Sequence, residues 1–141
     1  MPDLAPVTAD RAEVVGLPNS SGTITAAAGE DISALAPITQ NASGKWVRSG
    51  AAAAAPANTV QAIALRTVKS GESLTGLREG RIDNYNLDAQ AYGARIFVSN
   101  TLGALADAAG TASLPVGFVE VATAQPIGSP HDKVLHVKIP A

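Results

Sequence analysis

Residues 133–139 alternate more cleanly than any other part of the chain. Leu135, Val137 and Ile139 fall on one side, His136 and Lys138 on the other. A period of two marks a strand with one buried face. The same reading predicts strands at 94–99 and at 114–123, where Val119 and Val121 share a face. Residues 59–68 place Gln61, Ile63, Leu65 and Thr67 on one face, and their β-branched content favours a strand. Residues 36–40 and 45–48 flank Asn41-Ala42-Ser43-Gly44, whose Asn and Gly suit a four-residue hairpin turn. Residues 23–28 make a first strand, and 73–77 with 81–85 read as a pair around Arg78-Glu79-Gly80. Residues 49–58 are alanine-rich and broken by Pro56, which reads as a loop. Only 102–109 offers a short helix. About eight short strands at roughly 8–15-residue spacing predict an all-β fold, a small barrel or sandwich.

The first 31 residues break this pattern. Asp3, Asp10, Glu13, Glu30 and Asp31 face only Arg11, a net charge of −4, and Pro2, Pro6 and Pro18 interrupt any regular element. They predict an extended N-terminal arm over 1–25 and a β domain over 26–141. Val7, Val14, Val15 and Leu17 are the candidates for partner contact in the arm.

At 141 residues the chain has the size of one domain. It contains 28 alanines and only 4% aromatic residues, so each apolar side chain buries little area. Two explanations stand level at this point, a codon bias towards alanine and a need for extra burial in an assembly. The absence of cysteine excludes disulfides, thiol catalysis and cysteine-ligated zinc. A net charge of −2 argues against direct nucleic-acid binding. No membrane span is expected, because the longest uncharged stretch, 49–65, falls short of the roughly 20 residues a helix needs. Residues 1–12 lack the apolar segment of a secretory signal.

Candidate chemistry is sparse. His131 and His136 are five residues apart, on opposite faces of a strand, and do not make a simple metal pair. In the segment from Asp83 to Asp88, a calcium-loop register starting at Asn84 puts Ala89 at the glycine position and Arg95 at the glutamate position, so the match fails. Glu72, Glu79 and Asp83 are the acid–base candidates, and they read as solvated turn residues. Trp46 suits a hairpin core or a subunit contact better than a binding platform. No G-x-S-x-G, P-loop or G-x-G-x-x-G is present. Asn19-Ser20-Ser21 and Asn41-Ala42-Ser43 match the glycosylation sequon, a chance match in a chain without a signal peptide. No cofactor or metal is expected.

Several segments resemble the decoration, or cement, proteins of tailed-bacteriophage heads. They are Val60-Gln61-Ala62-Ile63-Ala64-Leu65, Gly71-Glu72-Ser73-Leu74-Thr75, Arg78-Glu79-Gly80, the run from Ala91 to Leu105, the run from Ala109 to Val119, and Val134 to Ile139. Ala34 to Ile38 with Gly44-Lys45-Trp46-Val47 is similar to the family's first hairpin. The resemblance implies a non-enzymatic virion protein, made in the host bacterial cytoplasm and bound to the outer surface of the capsid. It implies a homotrimer at threefold or local threefold axes, with the phage major capsid protein as partner and the arm supplying part of the grip. Trp46 and Phe118 are the candidate subunit contacts. The alternative is a carbohydrate-binding or adhesive module with Trp46, Tyr85 and Tyr92 as its platform.

Overall fold

The computed structural model describes residues 4, 13–15, 22–83, 85, 87, 89–121 and 133–139. These hold eleven strands and no α-helix: β1 (Glu13–Val15), β2 (Thr23–Ala27), β3 (Pro37–Gln40), β4 (Trp46–Arg48), β5 (Ala62–Ala64), β6 (Ser73–Leu77), β7 (Glu79–Asp83), β8 (Arg95–Val98), β9 (Leu105–Ala106), β10 (Pro115–Val121) and β11 (Lys133–Lys138). Ten of them, β2 to β11, form two five-stranded antiparallel sheets, ordered β7-β11-β10-β8-β9 and β2-β6-β5-β3-β4. β1 adds to the first sheet as a sixth strand beside β7. The all-β expectation holds.

The second sheet curls until its outer strands meet. Beyond β2, Ala28 donates its N–H to Glu72 O at 2.8 Å while Gly29 donates to Trp46 O at 2.8 Å. A parallel bridge between Ala28 and Trp46 closes the ring, and Glu30 Oε2 accepts the Arg48 N–H at 2.8 Å across the join. The result is a small barrel. Its interior holds Ile32, Ile38, Trp46, Val68 and Leu74 among Ala28, Ala36, Ala62 and Ala64. Small and large side chains must alternate to fill so narrow a lumen. Gly76 shows how narrow it is, for a Cβ there would sit 2.6 Å from Ala62 Cβ and 3.5 Å from the Trp46 ring.

A second core lies between the barrel and the other sheet. Leu35, Ile63 and Leu77 meet Ile82, Ile96, Val98, Leu105, Val116, Val119, Leu135, Val137 and Ile139. Tyr85 is buried there and donates its hydroxyl to Leu35 O. Burial pushes its phenol well above the ordinary value. Leu35 itself has a φ of 73°, so this bond fixes a carbonyl on a backbone turn that few non-glycine residues adopt.

Three expectations change. The segments 73–77 and 81–85 do not pair with each other. β6 joins the barrel and β7 the other sheet, and the chain crosses between them at Arg78, whose N–H donates to Gly22 O (2.7 Å) and whose O accepts from Ile139 N (3.2 Å). The expected helix at 102–109 is instead a turn leading into β9. Gly103, at φ 79°, and the Ser99 N to Ala104 O bond (2.9 Å) fold it back on β8. Of the long strand expected over 59–68, Ala62–Ala64 forms the regular strand, and Val68 makes an isolated bridge to Ile32. Ile63 faces the inter-sheet core and its alanine neighbours face the barrel lumen, so this strand is buried on both faces.

The hairpin at Asn41 forms as expected. Asn41 Oδ1 accepts the N–H groups of Ser43 (2.9 Å) and Lys45 (3.1 Å), and Gly44 takes φ 77°. This Asx geometry accounts for the asparagine within that sequon.

Candidate functional site

The outward face of the six-stranded sheet carries the densest side-chain arrangement. A β-bulge between Pro115 and Gly117 creates it. A strict alternation cannot turn both Val116 and Val119 inward. The extra residue at the bulge allows it, and so sends Phe118 and Glu120 to the outer face. The register then lines up Arg95, Phe118, His136 and Arg81 across β8, β10, β11 and β7.

Glu120 binds two members of this row. Its Oε2 accepts from Arg81 Nε at 2.7 Å, and its Oε1 lies 2.8 Å from His136 Nδ1. The Phe118 and His136 rings stack obliquely, 4.9 Å apart at 45°. Phe97 lies half-buried on the same face. At the end of the sheet Tyr92 is 45% exposed, with Lys133 Nζ 5.0 Å from its ring centre. Three of the chain's five aromatic residues therefore sit on or beside this face rather than in a core. Large apolar and arginine side chains held at a surface are what interface centres are built from.

Partial burial acts to raise the Glu120 carboxyl pKa, but hydrogen bonds and charge from Arg81 and His136 outweigh it and hold the group below 4.5. The lowered pKa makes the contribution of this pair present above the ordinary carboxyl value and lost as pH falls through the native one. Arg81 is half exposed, which screens the effect to about 1 kcal/mol or less. Glu120→Gln is expected to lower the melting temperature at pH 7, and the gap from the wild type should narrow as melts are run down from pH 5 through the lowered native pKa. A gap of constant size across that range would show that the carboxylate charge is not what matters.

The residues singled out from the sequence fall in different places. Trp46 is fully buried and its Nε1 donates to Leu74 O at 3.0 Å, so it fills its own chain's barrel and presents nothing to a neighbouring subunit. Tyr85 is likewise interior, which leaves Tyr92 as the exposed member of the expected aromatic platform. Phe118 is half-buried on the outer face. Val14 and Val15 lie in β1, paired to Ile82 and Arg81 of their own sheet. The arm is thus tied to the β domain there, and also at Leu4, whose N–H donates to Leu105 O at 2.9 Å. Val7, Leu17 and His131 lie outside the described residues, as do Asn84, Asn86 and Asp88 of the tested calcium loop. Glu79 and Asp83 are four residues apart on one strand, about 13 Å at 3.3 Å per residue, too far for a paired-carboxylate mechanism. Glu72 lies at a turn of the barrel, bound to Lys69 N. Among the described residues no three His, Asp or Glu side chains converge as metal ligands, and no helix is long and apolar enough to cross a membrane.

Sequence reading missed Arg81, Arg95 and Glu120. Their juxtaposition depends on pairing between strands remote in sequence, β7 with β11 among them, and no local motif carries that signal. Comparison with protein-family models, with curated proteins and with solved structures finds no match to this chain.

Proposed function

We propose that this protein is a structural capsid decoration protein without enzymatic activity. It binds the outer surface of a tailed-phage head as a homotrimer at threefold or local threefold axes, and it stabilises contacts between major capsid protein subunits. It needs no cofactor and makes no contact with nucleic acid or membrane. The observation that supports this reading most is the outer face of the six-stranded sheet, where an aromatic-poor chain holds Phe97 and Phe118 at a surface beside Arg95. The segments resembling cement proteins contribute to that face: 91–105 spans β8 and reaches the first residue of β9, and 109–119 enters β10. The carbohydrate-binding alternative loses Trp46 and Tyr85, two of its three platform residues, to the interior.

The test is to mix purified protein with undecorated expanded heads and image the product by electron cryo-microscopy. Density at the symmetry axes is the expected result, and bare heads would overturn the reading. Deleting residues 1–20 is expected to weaken head binding by about 10²-fold or more, through lost avidity of three arms on one trimer. Strands β2 to β11 should remain folded by circular dichroism. Undiminished binding by the truncated protein would remove the arm from the mechanism.

A further inference from the structure

Three arginines bind acceptors of their own chain. Arg48 holds Glu30 at 3.3 Å, Arg66 holds Ser73 O at 2.6 Å and Arg81 holds Glu120 at 2.7 Å. Arg95 is different. It is exposed on the outer face of the six-stranded sheet, and no described residue takes its guanidinium. Glu120, on the same face, has both oxygens engaged, Oε2 by Arg81 and Oε1 by His136. An arginine without an acceptor is ordinary on a surface, but the setting of this one is not. Its register partner on β10 is Phe118, and Phe97 follows two residues along β8 on the same face. Both rings are half-buried. A free guanidinium between two aromatic rings is the composition of an interface centre.

We propose that Arg95, Phe97 and Phe118 form a carboxylate-docking site. Resting on the decoration reading above, the occupant is a surface segment of the coat subunit that carries an aspartate or glutamate. The carboxylate meets the Arg95 guanidinium through two parallel N–H···O bonds. An apolar side chain of the same segment covers Phe97 and Phe118. Facing residues on paired strands stand about 5 Å apart, and alternate residues of one strand about 6–7 Å. The acid and its apolar neighbour therefore stand at a similar spacing, two residues apart in an extended segment or one turn apart on a helix. The apolar contact keeps water from the ion pair, as the ring of contacts around an interface hot spot does. Charge complementarity favours another protein over a second copy of this chain. Two copies face to face would set arginine against arginine, which an acidic segment avoids.

Binding of full-length variants to undecorated heads tests the site. Arg95→Ala is expected to weaken binding by about tenfold or more, and Arg95→Glu further still. Arg95→Lys should recover only part of the loss, because an ammonium lacks the planar fork. All three should melt with the wild type, since the side chain holds nothing in its own chain. Lys45→Glu, the same charge reversal at an exposed hairpin residue of the barrel, should bind within about twofold of wild type. Full binding by Arg95→Glu, or an equal loss in Lys45→Glu, would overturn the docking site while leaving the decoration reading intact. A wild type that does not bind heads would overturn the decoration reading and, with it, the coat subunit as occupant. Sedimentation of the free protein separates coat from copy. Arg95→Glu should sediment as the wild type does, and a changed oligomeric state would place Arg95 between copies of this chain and overturn the proposal.

Discussion

Replacing Trp46 by alanine is expected to cost about 3–5 kcal/mol, a large part of the roughly 5–15 kcal/mol that holds a domain of this size. Three features make the loss large. The ring is fully buried at the centre of the closed barrel. Much of the lumen is lined by alanines and Gly76, which have no side chain long enough to swing in and fill the void. Removing Nε1 also takes away the buried hydrogen bond it donates to Leu74 O. Trp46→Phe keeps most of the ring and loses the hydrogen bond, with an expected cost of about 1–3 kcal/mol. Urea unfolding followed by far-ultraviolet circular dichroism measures both, since the variants lack the only tryptophan. A loss of less than about 1 kcal/mol for the alanine variant would mean that the barrel is not built around this ring.

That prediction bears on the alanine content of the chain. Part of it lies in exposed loop residues such as Ala52, Ala54 and Ala55. Part of it, at Ala28, Ala36, Ala62 and Ala64, is buried in the lumen with the tryptophan, where a larger residue would overpack the core. Codon bias is not needed to explain those four. Nor is burial against a neighbouring molecule, for their partner is inside the chain.

What could be read from the sequence follows the range of the interaction. The Asn41 hairpin, β8 and β11 were legible because turn chemistry and alternation act over a few residues. β5 was overextended because Ala62 and Ala64 carry no polar signal to mark where its ladder stops. β9 was missed because two residues are too short to show a period. The division of β6 and β7 between sheets turns on Gly22, Arg78 and Ile139, which are remote in sequence. The candidate face was legible only as single residues. Phe118 stood out by type, whereas its neighbours Arg81, Arg95 and Glu120 look like ordinary surface charges until a bulge at Pro115–Gly117 sets the register.

The bulge itself makes the second large prediction. Gly117→Ala should disrupt the six-stranded sheet, at a cost of about 3 kcal/mol or more, above the usual range for an added methyl in a core. A Cβ at this position would overlap His136 O and lie 3.1 Å from Val137 Cα. Both atoms are backbone, so no rotamer change can make room, and β10 and β11 must move apart. Close backbone approach of this kind is a recognised reason for glycine inside a strand. The same movement would separate Phe118 from His136 and pull Glu120 off the His136 ring, since all three residues sit on the two strands being pushed apart. A thermal melt reads the stability loss, and the His136 ring proton shifts in a nuclear magnetic resonance spectrum read the loss of stacking under Phe118. Glu120→Gln is the comparison that separates the two effects, because it removes the carboxylate and leaves the strands in place. If Gly117→Ala melts within about 1 kcal/mol of wild type and keeps the His136 ring shifts, the close approach of β10 and β11 is wrong, and with it the geometry of the outer face.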